Sequence, residues 1–174
     1  MDWYRTVFEL IDMRSFSNLW YWIALAAVWS AASHYVIGVP YDMVTRAARQ
    51  GGQAQADLQD MARIRASRLV HVARVAGVWL VALVALGLTC LLLLGFVYGI
   101  EFAQAVALIA VPMTGVWMVS LRTAGHIVDE PLTGEALCHR MTRHRMAVQL
   151  IGMISVFVTA LWGMYRNLDV GPLG

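Results

Sequence analysis

The chain reads as an all-α integral membrane protein: a four-helix bundle with an N-terminal amphipathic surface helix and two cytoplasmic helical extensions. Three observations predict this. Of its 174 residues, 60% are hydrophobic and 14% charged, which is more apolar surface and less charge than a soluble domain carries. Apolar runs lie at 19–39, 75–98, 103–121 and 147–165, each close to the roughly 20 residues a helix needs to cross about 30 Å of hydrocarbon. Ten of the thirteen basic residues fall in the two segments 40–74 and 122–146. The runs are continuous rather than alternating, which argues against membrane strands.

Residues 1–16 come first. Trp3, Tyr4, Val7, Phe8 and Ile11 recur at helical spacing opposite Arg5, Glu9 and Asp12, a pattern suited to a helix lying in the headgroup region. Asp2, Glu9 and Asp12 are the wrong charge for a signal-peptide n-region, so the first apolar run is expected to stay as an anchor. Ser15, Ser17 and Asn18 offer helix caps before it, and Trp20, Tyr21 and Trp22 stand where an interfacial aromatic belt belongs.

The positive-inside rule then places 40–74 and 122–146 in the cytoplasm and both termini in the periplasm of a bacterial inner membrane. An even number of crossings fits that arrangement, in agreement with four runs. All thirteen basic residues are arginine, which a GC-rich bacterial genome produces without functional demand. Segment 40–74 is broken at Pro40 and at Gly51-Gly52. Beyond it one helix is expected from near Ala54 through Asp57, Asp60, Arg63 and Arg65 into the second span. The stretch Pro131–Asn167 reads alike, with Pro131 tolerated in a first turn and Glu135, His139, Arg143 and Gln149 leading into the fourth run. The two extensions either pack on each other or form a docking platform, with Arg63, Arg65, Arg68, Arg140, Arg143 and His144 as its projecting residues.

The short turn at Gly99–Glu101 makes the second and third helices antiparallel neighbours. Gly95 and Gly99 form a GxxxG at a helix end, and Pro112 with the nearby Thr114 predicts a kink whose freed carbonyl a hydroxyl satisfies. Polar groups within the spans are few: Ser30, Ser33 and His34 in the first, Thr89 and Cys90 in the second. No Asp, Glu or Arg lies mid-span, which disfavours proton-relay transport.

All five histidines, His34, His71, His126, His139 and His144, lie toward the cytoplasmic side. His34 with His71 or His126 is the candidate set for a bound haem or quinone at the inner leaflet, the alternative to a reading with no cofactor. Cys90 and Cys138 sit at different depths and predict neither a disulfide nor a metal site. Paired catalytic carboxylates, a nucleophile with its base and a phosphate loop are all missing from the sequence, so an enzyme is not expected. The inner segments carry ten arginines against six acids, a net charge of four, too dispersed for nucleic acid.

The opening MDWYRTVFELIDMRSFSNLWYWIALA and the segment SHYVIGVPYDMVTRA resemble small alphaproteobacterial membrane proteins labelled "component of SufBCD complex". That resemblance implies an association with cytosolic iron-sulfur cluster assembly and carries no catalytic residue. The expected function is an accessory or interaction subunit of a membrane-associated assembly, its partners being the bilayer and other membrane or cytosolic proteins.

Overall fold

The computed structural model describes residues 15–130 and 132–169, and about nine-tenths of these described residues are helical. The expected surface helix at 1–16 and the first-turn role of Pro131 lie outside the described residues, save for a single 3-10 turn at Ser15–Ser17. Helix α1 (Leu19–His34) begins at Asn18, whose side-chain oxygen accepts from the Trp20 amide at 3.0 Å, satisfying one of the free donors of the first turn.

The run 19–39 is not helical throughout. After His34 the chain forms a hairpin of two-residue strands, β1 (Tyr35–Val36) and β2 (Val39–Pro40), with Val36 opposite Val39. Ile37 and Gly38 make its turn, both with positive φ (54° and 77°), as a two-residue hairpin loop requires. Isoleucine rarely adopts that conformation. It is held there by Val36 and Val39, both buried, and by its own packing on the same core.

Helix α2 (Tyr41–Gln50) follows, with Asp42 in its first turn and Arg49 in its last, each favourable to the helix dipole. Gly51 ends it at φ 63°. Helix α3 (Gly52–Leu92) is unbroken for 41 residues, about 60 Å at 1.5 Å per residue, so about half of it must lie outside any bilayer it crosses. A π-turn at Leu93–Val97 closes α3. Gly99, at φ 73°, turns the chain into helix α4 (Glu101–Asp129), and helix α5 (Gly134–Asp169) completes the fold.

Among the described residues three helices are long and apolar enough to cross a membrane: α3 with its π-turn, α4 and α5. With 16 residues, α1 reaches about 24 Å and is shorter than these. It nevertheless connects the same two ends of the molecule. Phe16 N–H donates to Glu101 at 3.0 Å and Ser17 to Asn167 at 2.7 Å at one end, whereas Gly38 and Arg65 border one cleft at the other.

Packing along α1 and α5 depends on glycine. A Cβ at Gly152 would come within 2.8 Å of the Trp29 indole, and one at Gly163 within 3.3 Å of Phe16. Small residues thus let the backbones approach. Gly95 is packed against backbone: an added Cβ would lie 2.9 Å from the Gln104 backbone nitrogen. Gly95 and Gly99 therefore have separate tasks, one close approach and one turn, rather than acting as a single dimer motif.

Pro112 stays inside α4. The carbonyl left without its partner is Leu108, and it accepts from Ser155 of α5 at 3.3 Å. Thr114, the nearer hydroxyl in sequence, donates to Val111 instead. The proline is accommodated across helices.

Candidate functional site

The densest core of the molecule is not between the apolar runs but at the arginine-rich end. Val36 and Val39 of the hairpin, Val44 and Ala47 of α2, Leu58, Ala62 and Ala66 of α3, Ala124 and Ile127 of α4, and Leu137, Cys138 and Met141 of α5 form one buried cluster. On α3 the buried positions 58, 62 and 66 repeat every four residues, so one stripe faces the neighbouring helices. The extensions pack on each other. Burial pushes the Cys138 thiol above its ordinary range, which keeps it protonated and unreactive.

Polar side chains stitch this head together. Thr142 donates to the Cys138 carbonyl at 2.9 Å, so its oxygen accepts from the Tyr41 hydroxyl at 3.2 Å. The Arg145 guanidinium sits 3.9 Å above the Tyr41 ring, a cation–π contact. Thr123 donates to the Val119 carbonyl at 2.9 Å, and its oxygen lies 3.1 Å from His144 Nδ1. With the single hydroxyl proton committed, Nδ1–H is the donor and Nε2 carries the lone pair. His144 is 4% exposed and precedes the apolar run of α5. Desolvation holds its imidazole below the usual range, in the neutral form.

The sequence-derived docking residues separate on this geometry. Arg63, Arg65, Arg68 and Arg143 are exposed and Arg140 is half-buried. His144 does not project: it is a core residue, buried by α4, and leaves the docking set. Among the described residues one ion pair forms, Arg63 with Asp60 at 3.7 Å, both well exposed. Among the described residues the other arginines of the head carry no such carboxylate partner, and with ten arginines against six acids the head is net cationic.

Arg65 and Arg68 also edge a cleft of about 450 Å³ where the head meets the spans. Its walls come from the hairpin turn, α3, α4 and His144. The Arg65 side chain runs along the hairpin, with its Cδ 3.7 Å and its Nε 4.0 Å from where a Cβ at Gly38 would stand. Sequence reasoning missed this cleft because its parts come from four separate stretches of the chain, 32–38, 65–72, 113–120 and His144.

His34, His71 and His126 are all exposed, and His34 stacks edge-on against Tyr35 at 4.9 Å. None of the three lines this cleft or the three grooves elsewhere along the helices. Among the described residues, no three of His, Cys, Asp and Glu come together as a metal site.

A second polar cluster lies at the opposite end. Gln104, 3% exposed, donates to the Gly95 carbonyl at 2.8 Å and accepts from the Trp162 indole at 3.1 Å. The π-turn supplies that carbonyl, since it breaks the regular ladder. Every polar contact of Gln104 is internal and joins α3, α4 and α5. It is a structural clamp that the sequence did not single out. Comparison with protein-family models, curated proteins and solved structures finds no match for the chain.

Proposed function

We propose that the protein is an accessory membrane subunit whose cationic helical head docks an acidic face of a soluble partner. One observation carries the reading: the head has its own side-chain core, so its arginines are displayed from a preformed surface rather than from loose arms. A preformed surface lowers the ordering cost of binding, and the head's net positive charge, ten arginines against six acids, steers an oppositely charged partner.

The arginine distribution favours a cytoplasmic head and four crossings of a bacterial inner membrane, α1 included, with both termini outside. The hydrogen bond of Phe16 to Glu101 and the cleft that Gly38 shares with Arg65 support α1 as the fourth crossing, since they set its ends at the two ends of the longer spans. The resemblance to proteins linked with iron-sulfur cluster assembly fits a cytosolic machine as the partner.

Arg63, Arg140 and Arg143 test the reading. Exposed pairs contribute up to about 1 kcal/mol each, so the three are changed together to glutamine and partner recovery is measured by native pull-down at equal membrane abundance. A loss of tenfold or more is expected, with seven inner arginines left to hold the topology. Recovery equal to wild type would overturn docking through the head.

A further inference from the structure

The cleft beside Arg65 and Arg68 has a polar mouth and an apolar floor. At the mouth stand the two guanidinium groups and the Ser120 hydroxyl; beneath them lie Leu69 and Val72 of α3 and Met113, Val116 and Trp117 of α4. Neither arginine has a carboxylate partner among the described residues. Ser120 spends its proton on the Val116 carbonyl at 2.8 Å, so the charged donors that line the cleft are the two arginines, with the Tyr35 hydroxyl beside them.

The floor does not end there. Met113 and Trp117 also line a second groove, of about 350 Å³, that runs on between α3 and α4 past Val84, Gly87 and Leu88. No charged residue lines it. Gly87, where a Cβ would meet nothing within 4 Å, leaves that wall recessed. From Ser120 to Ala110 the path along α4 is ten residues, about 15 Å, which is half the hydrocarbon thickness of a bilayer.

We propose that this composite groove is a binding site for an anionic glycerophospholipid, the phosphate held by Arg65 and Arg68 and one acyl chain laid over Trp117 along α3 and α4. Guanidinium groups bind phosphate in a bidentate fashion, and basic pockets between membrane helices at the headgroup level suit anionic lipids. A soluble acidic protein would meet the arginines but not the uncharged groove below them. The hairpin is part of the site: Tyr35, Ile37 and Gly38 border the cleft beside Arg65.

The full chain reconstituted in nanodiscs provides the test. Quenching of Trp117 by phosphatidylglycerol with brominated acyl chains is compared with quenching by brominated phosphatidylcholine at the same mole fraction. The Trp117 signal is taken as the difference between wild type and Trp117→Phe, because the chain has seven tryptophans. Wild type is expected to prefer the anionic lipid by on the order of tenfold. The Arg65→Gln/Arg68→Gln pair should bring the two curves together, while Arg46→Gln/Arg49→Gln should leave them apart. Equal curves in wild type overturn the site without recourse to any variant, as does a preference that survives loss of Arg65 and Arg68. Convergence on adding inorganic phosphate, but not a salt-matched chloride control, would assign the mouth to a free anion and overturn the lipid.

Discussion

At the scale of single residues, His144 shows how burial sets chemistry. Its neutral form is favoured because α4 and α5 exclude water from the imidazole, and Thr123 accepts from Nδ1. The consequence for stability has a definite sign. Above the ordinary pKa of 6.5 folded and unfolded chains are both neutral there, and the group adds no pH dependence. As pH falls below that value the unfolded chain takes up a proton that the folded one resists, so stability is lost. The thermal midpoint of the reconstituted protein should therefore drop between about pH 7 and about pH 5, and His144→Gln should flatten part of that drop. An unchanged pH profile in His144→Gln would assign the dependence to other groups. None of this was legible in the sequence, where His144 looked like its solvated neighbours Arg143 and His139; only the helix packed against it distinguishes it. Gln104 was missed for the same reason, since at the edge of an apolar run it resembles an interfacial residue.

At the scale of elements, helix type and extent were largely legible. Length and hydropathy identify α3, α4 and α5 as helices long and apolar enough to cross a membrane, and the uninterrupted sequence after Gly52 foretells the single long α3. The first run was misjudged at its end because Tyr35–Pro40 is as apolar as a helix, and hydropathy does not separate a buried hairpin from one more helical turn. What no periodicity reveals is which glycine carries a contact. Gly95→Ala would set a methyl group 2.9 Å from backbone, which cannot rotate away, and the overpacking should cost about 1–3 kcal/mol. Gly87→Ala, with nothing within 4 Å, is the matched control and should be close to neutral. Thermal midpoints in detergent give the comparison, and equal midpoints for the two variants would deny the close approach of α3 and α4 at Gly95. Gly152→Ala meets Trp29 at 2.8 Å and should fall between them, since an indole can shift where backbone cannot.

For the whole molecule, the division into an apolar end and a cationic head makes orientation a measurable property. Moving ten head arginines through hydrocarbon is unfavourable at every position, so the head should remain on the cytoplasmic side. Tyr98, at the turn between α3 and α4, is 74% exposed and marks the opposite end. In a Cys90→Ala background, with Cys138 shielded by the head core, single cysteines at Tyr98, Leu19 and Ala56 report the arrangement through an impermeant maleimide. Tyr98→Cys and Leu19→Cys should react in intact spheroplasts and Ala56→Cys only after the membrane is opened. The three positions test different claims. Reaction of Ala56→Cys alone would invert the protein, and reaction of both Tyr98→Cys and Ala56→Cys would mean that α3 does not cross. Protection of Leu19→Cys while Tyr98→Cys reacts would break the contact of Phe16 with Glu101 that sets the two on one side, and with it the reading of α1 as a fourth crossing.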